Sequence, residues 1–239
     1  MSRAIDKVRS ADFQSAVSQV SNLRRLNSLR AFQLTEEMRT LWFTILAAIV
    51  MCGCATNPKW KSQQFVFELP PATPAATVRT NVIALARVSV APHFQDRSLT
   101  YRTTDDGYEH DPYAEFAVIP ERAIAHAIRA WMRQSGAFGH VADPGSGLVP
   151  DVVAEISVNE LYGDFRKGTQ PVAIVGMHYL FYEVKDGGPG KVLLDKTAVR
   201  KTALKQKTPA ALVAGWNSGL GEIMQEIATE YSEACSRPF

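Results

Sequence analysis

The sequence predicts an α+β chain, on three observations. Period-two alternation recurs at 81–92 and 152–158, a run at 171–183 is apolar on both faces, and 191–204 returns as a further strand. Two apolar stripes at helical spacing follow Pro120 and Pro209. The short segment Asp186-Gly187-Gly188-Pro189-Gly190 joins two of the strands as a hairpin, which makes that pair antiparallel.

In chain order, the first element is the apolar run Leu41–Met51. As a helix it would reach about 16 Å, too short for a hydrocarbon core of about 30 Å, so it reads as the core of a secretory signal. It ends in Gly53-Cys54: a small residue before a thiol that can take a diacylglyceryl group. Cys54 is therefore the expected lipidation site, and Cys52, preceded by the bulky Met51, is not. The competing readings are an ordinary cleaved signal and a buried helix. Starting at Met38 gives a short cationic leader, Met38-Arg39-Thr40, so 38–53 is read as the signal peptide and 1–37 as an over-extended start or leader. The alternative for 1–37 is an amphipathic helix, because Val8, Phe13, Val17, Val20, Leu23 and Leu26 recur at roughly helical spacing.

Removal of 1–53 leaves 186 residues, enough for one domain with a real core. The segment removed carries seven of the 26 Lys/Arg and four of the 24 Asp/Glu, so the remainder has net charge −1. Nothing in that balance suggests an electrostatic footprint for nucleic acid, and no nucleic-acid partner is expected. Of the three cysteines only Cys54 and Cys235 remain, and an acylated Cys54 leaves Cys235 without a partner in the chain. Cys235 is expected to be a small buried or semi-exposed residue, with intermolecular pairing or a reactive thiol as the alternatives.

Residues 54–80 read as a Pro- and Ala-rich tether, extended and mobile, with a short edge strand at 65–69 inside it. The domain proper is placed at 81–239. Its first strand sets Val82, Ala84, Ala86, Val88 and Val90 on one face and Ile83, Leu85, Arg87 and Ser89 on the other. A polar connection follows, containing Thr103–Gly107. Pro120 then opens a helix whose stripe is Ile124, Ile128, Trp131 and Met132, and Gly136 ends it. Thr208 and Pro209 start the last helix as N-cap and first residue; Leu212, Trp216, Leu220, Ile223, Ile227 and Tyr231 form its stripe. Gly215, Gly219 and Gly221 in that helix signal either close packing on the sheet or a bend.

Chemical motifs are sparse. The five histidines lack metal-ligand spacing, and no nucleophile elbow, phosphate loop or dinucleotide fingerprint occurs. The acidic group Asp105, Asp106, Glu109 and Asp111 does not follow EF-hand order and reads first as a solvated loop, with a weak calcium site as the alternative. His126 reads as a satisfied, partly buried histidine. Trp131, Trp216 and the 171–183 strand read as core, or alternatively as the lining of a lipid-binding groove. No catalytic residue, metal or cofactor is expected.

Several pieces recur together in one family. They are Gly53-Cys54, the short strand at 65–69, Val88-Ser89-Val90-Ala91-Pro92 leading to Tyr101-Arg102, and Asp111-Pro112-Tyr113 with Glu115-Phe116 and Pro120. Ser135-Gly136-Ala137-Phe138 and the run Ala210–Asn217 complete the set. In this order and spacing, over about 65–234, the chain resembles the ABC-type transport auxiliary lipoproteins, the PqiC-like family. It departs from them at Phe116, where Trp is common, and in the Met51-Cys52 pair. The resemblance implies a single compact domain, with an antiparallel or mixed sheet packed by two main helices. It implies a non-enzymatic outer-membrane lipoprotein working with an MCE-family periplasmic protein and the components of an ABC transporter in lipid transport between two membranes. Ala55 after the modified cysteine favours outer-membrane sorting by family analogy. Tyr101, Arg102, Tyr108 and Tyr113 are the candidate partner contacts, since aromatics and Arg dominate interface hot spots. An independent lipid- or small-ligand-binding lipoprotein is the other reading. Homo-oligomer formation is left open.

Overall fold

The computed structural model describes residues 41–42, 62–74 and 79–236. Contacts divide the chain into Met1–Lys59 and Trp60–Phe239. Of the first unit only Leu41 and Trp42 are described, as helical residues with exposed side chains. Residues 1–37, read from sequence as an over-extended start or leader, and Gly53 and Cys54 lie outside the described residues.

The second unit is one mixed sheet of eight strands with two helices. The strands are β1 (Gln63–Phe65), β2 (Val82–Val90), β3 (Ser98–Arg102), β4 (Tyr108–Phe116), β5 (His140–Ala142), β6 (Val152–Asp164), β7 (Val172–Lys185) and β8 (Gly188–Ala203); the helices are α1 (Pro120–Ser135) and α2 (Pro209–Ser236). The antiparallel run β6-β7-β8 forms one half. Along its other side β6 is bordered by two parallel strands at different heights, β2 over 152–158 and β3 at Gly163 and Asp164. β5 extends the sheet beyond β2, while β4 and β1 extend it beyond β3.

Both helices start and stop where their end chemistry dictates. Pro120 opens α1, where its missing N–H costs nothing, and Gly136 ends it at φ 65°, a left-handed conformation that glycine adopts without strain. In α2 the backbone N–H of Ala211 donates to Thr208 Oγ1 at 3.2 Å, satisfying one of the unpaired donors of the first turn. The stripes bury as expected: Ile124, Ile128 and Met132 are fully covered, as are Leu212, Trp216, Leu220, Ile223, Ile227 and Tyr231. Each such aliphatic side chain contributes about 1.5–3 kcal/mol of transfer free energy. Trp216 also donates its indole N–H to the carbonyl oxygens of Ile174 at 3.0 Å and Tyr162 at 3.3 Å, so its one polar atom is paired inside the core.

The α2 glycines are sites of close packing rather than of a bend in an otherwise continuous helix. A Cβ on Gly215 would lie 2.6 Å from Ala173 Cβ, and one on Gly219 would lie 2.8 Å from Val175 Cγ1. Only a bare backbone lets α2 approach β7 this closely.

Several expectations are corrected. The short strand is at 63–65 rather than 65–69, pairing parallel with Ala114–Phe116. In β2 the buried positions begin as Ile83 and Leu85 and continue as Val88 and Val90, because a bulge between Leu85 and Arg87 exchanges the faces midway. The polar connection is an antiparallel hairpin, β3–β4, whose loop is Thr103–Gly107. β8 begins at Gly188, since the hairpin turn is only Asp186-Gly187, both at positive φ. His126 is exposed rather than partly buried, and Cys235 is exposed as a free thiol.

The supposed tether also differs. Residues 62–74 form a strap bound to the helices instead of a mobile linker. Phe67 stacks on Phe116 with ring centroids 4.7 Å apart. Glu68 N–H donates to Asn217 Oδ1 at 3.2 Å, and Thr73 N–H to Gln225 Oε1 at 3.1 Å. Between them Pro70 touches both helices: its carbonyl accepts the Trp131 indole N–H at 3.0 Å, and its ring leaves no room for a Cβ on Gly221.

Candidate docking surface at the β3–β4 end

At the far end of β6 the β3–β4 hairpin turns, with Arg102 opposite Tyr108 and Tyr101 opposite Glu109. Thr103 N–H donates to Gly107 O at 3.1 Å and closes the loop. Phe165 N–H donates to Arg102 O at 2.9 Å, locking the hairpin to the end of β6.

Two aromatic groups are built on that frame. In the first, Tyr108 meets Tyr162 edge-on at 5.4 Å and Phe94 edge-on at 6.0 Å, while Phe94 stacks on Tyr162 at 5.8 Å. His93 lies beside both Phe94 and Tyr108. Tyr108, at 42%, and His93 are the exposed members of this group. In the second, Tyr101 stacks on Phe165 at 4.9 Å, and the Lys207 ammonium lies 5.6 Å from the centre of the Phe165 ring. Rigid aromatics offer contact area at small entropic cost, which suits a binding surface.

A chain of charges braces the same end. Arg166 grips Asp164 with two bonds, Nε to Oδ1 at 3.0 Å and Nη2 to Oδ2 at 2.7 Å, and reaches Asp105 Oδ1 with Nη1 at 2.6 Å. The hydrogen bonds from Arg166 hold the buried Asp164 carboxyl below its ordinary pKa. Arg102 donates to the backbone carbonyl of Asp105, and its Nε is buried with no acceptor among the described residues. Tyr101 donates its hydroxyl to Asp111 Oδ2 at 2.6 Å; burial first, and then that carboxylate, push the phenol far above its usual pKa, so it stays a neutral donor. Burial, with Glu160 and Tyr108 nearby, also raises the Tyr162 phenol.

The structure thus brings Tyr101, Arg102 and Tyr108 together at the hairpin end. Tyr113 stands apart, 45% exposed further along β4, next to the residue that pairs with β1. There Asp111 Oδ1 accepts the backbone N–H of Tyr113 at 2.8 Å and of Ala114 at 2.9 Å. Three of the four acidic residues are engaged one by one, Asp105 with Arg166, Glu109 with Thr103 Oγ1 and Asp111 with Tyr101, and Asp106 is exposed. Phe94, Tyr162, Phe165 and the Asp164–Arg166 pair were missing from the sequence reading. No alternation marks them, because β6 is buried on both faces over 161–164.

The alternative groove between helices and sheet is filled. Trp216, Leu220, Ile223, Met224 and Ile227 occupy that interface with no exposed surface.

Comparison with solved structures shows the same fold in two proteins. One is the protein XCC0632 from Xanthomonas campestris, described as belonging to DUF330, with TM-score 0.62, 15% identity, and coverage of 73% of this chain and 100% of the other. The second is described only as an uncharacterized protein, with TM-score 0.53, 12% identity, and coverage of 74% of this chain and 99% of the other. Comparison with curated proteins gives no match. Residues 66–228 match the family described as ABC-type transport auxiliary lipoprotein component, which spans every strand from β2 to β8, α1 and most of α2. The chain belongs to the ABC-type transport auxiliary lipoprotein family.

Proposed function

We propose that the protein is an outer-membrane lipoprotein, acylated at Cys54, that serves as a non-enzymatic auxiliary subunit of an ABC-driven, MCE-type system moving lipid between two membranes. Its partner, an MCE-family periplasmic protein, docks on the β3–β4 end through Tyr101, Arg102 and Tyr108, with Tyr113 at the flank. The observation that carries this reading is the aromatic and arginine surface at that end, braced by the Arg166–Asp164 pair, in a chain of this family. A surface fixed before contact loses little entropy on docking. Full processing would place three acyl chains on the N-terminal residue, enough for stable attachment, whereas one chain anchors only marginally. Ala55 fits outer-membrane sorting.

Affinity purification of the full chain from native membranes tests the reading. Recovery of an MCE protein or a transporter component supports it; repeated purification with neither contradicts it. Intact mass of the same preparation reads the anchor separately, as a diacylglyceryl-modified N-terminal cysteine at position 54.

A further inference from the structure

A second feature lies away from the hairpin, where β5 stops pairing with β2 at Ala84. Beyond that point α1, β2 and the loop 143–148 enclose a cavity of about 390 Å³. Its floor is apolar, with Leu85 and Val88 from β2 and Ala125 from α1. Arg122 and Arg129, two helical turns apart and so on one side of α1, line it as well. Neither guanidinium has an ion-pair partner among the described residues, and Arg129 Nε is buried with no acceptor there. A buried donor without an acceptor is costly, and this residue lines an open space. Two carboxylates also line the cavity: Asp143 is held by Arg133, and Glu121 is exposed in the first turn of α1. The free positive charge therefore exceeds the free negative charge.

The loop that closes the cavity ends in two outward aliphatic side chains. Leu148, a lining residue, is 56% exposed, and Val149 beside it is 80% exposed. Exposed aliphatics next to unpaired arginines form a pattern suited to a membrane interface, where the apolar side chains enter the acyl boundary and the cations meet phosphates.

We propose that this cavity takes the phosphate of an anionic phospholipid headgroup through Arg122 and Arg129, with Leu148 and Val149 entering the bilayer surface. The domain then rests against its own membrane on this face and leaves the β3–β4 end free for the partner. The proposal rests on the lipid-anchored reading above.

The test uses the full, acylated chain reconstituted into vesicles, in a Cys235→Ser background with an environment-sensitive fluorophore on Val149→Cys. Vesicles of phosphatidylcholine alone are compared with vesicles that also contain phosphatidylglycerol. The expected result is a several-fold rise in emission, quenched by brominated acyl chains, only when phosphatidylglycerol is present. The same probe on Lys201→Cys, an exposed position of β8, stays unchanged. Arg122→Gln with Arg129→Gln returns the Val149 signal to its level in phosphatidylcholine, at an unchanged thermal midpoint.

Any of four probe results overturns the proposal, beside the phosphate outcome that follows: a signal indifferent to phosphatidylglycerol, an equal response at Lys201, a signal that survives loss of both arginines, or one that appears only when envelope proteins are added. A response to inorganic phosphate in detergent without any response to vesicles also overturns it, as a free-phosphate site. The lipid comparison needs no arginine variant, so misfolding of the double variant leaves the test intact. Intact mass separates the two readings: an unacylated Cys54 defeats the anchor, while an acylated chain with an indifferent probe defeats only the cavity.

Discussion

The indole N–H of Trp131 is bonded to the carbonyl oxygen of Pro70 at 3.0 Å, across 61 positions of sequence. Through that bond α1 holds the strap. The same proline packs against Gly221, so the strap is fastened to both helices at one residue.

Trp131→Phe keeps most of the apolar surface and removes only the donor. It should cost about 1 kcal/mol in denaturant unfolding, the usual net worth of one hydrogen bond. Limited proteolysis should cut more readily within 62–74. Unchanged stability and unchanged cleavage would show that the strap is held by its other contacts alone.

Gly219→Ala sets two effects against each other. Alanine gains about 1 kcal/mol of helix propensity, but its methyl group would meet Val175 at 2.8 Å, and overpacking of this kind costs about 1–3 kcal/mol. Val175 sits on β7, paired on both sides by β6 and β8, so it has little freedom to retreat. A net loss of about 1 kcal/mol is expected, read as a lower thermal midpoint.

Asp164 makes the fold sensitive to acid. Its folded pKa lies below the unfolded value of about 3.9, so its contribution is complete above that value and disappears as pH falls through the lowered folded one. Thermal midpoints of the wild type and Asp164→Asn should differ at neutral pH and converge in acid. A gap that persists unchanged at low pH would mean that the charge of Asp164 has no part in it.

Much of this architecture is legible from local pattern, and the misses share a cause. α1 and α2 are readable because stripe, proline and cap agree within each segment: Ile124 to Met132 after Pro120, and Leu212 to Tyr231 after Thr208. The β3–β4 hairpin is obscure because Tyr108, Glu109 and His110 are all exposed at its start, so no alternation marks the strand. The bulge at Leu85–Arg87 reverses the faces of β2 without any glycine or proline to announce it. In the strap, Glu68 and Thr73 use backbone groups to reach side chains 149 and 152 positions away, which leaves no imprint on local composition. The candidate surface was half visible: Tyr101, Arg102 and Tyr108 could be chosen by residue type, whereas Phe94, Tyr162 and Arg166 join them only through the parallel pairing of β3 with the end of β6.

Tyr108→Ser should separate docking from folding. Loss of a central aromatic contact should weaken partner binding by about 1 kcal/mol or more, close to tenfold. The side chain is 42% exposed, so unfolding free energy should fall by less than about 1 kcal/mol. Binding to the purified partner and denaturant unfolding, measured on the same variant, check the two halves.

Site-specific photocrosslinking in living cells tests the central claim most directly. A photoreactive residue placed at Tyr108 of the full chain should yield an adduct with an MCE-family protein or transporter component, and the same residue placed at Lys201 on β8 should not. Adducts of equal strength from both positions, or none from Tyr108 while the acylated protein is abundant in the envelope, would contradict the account.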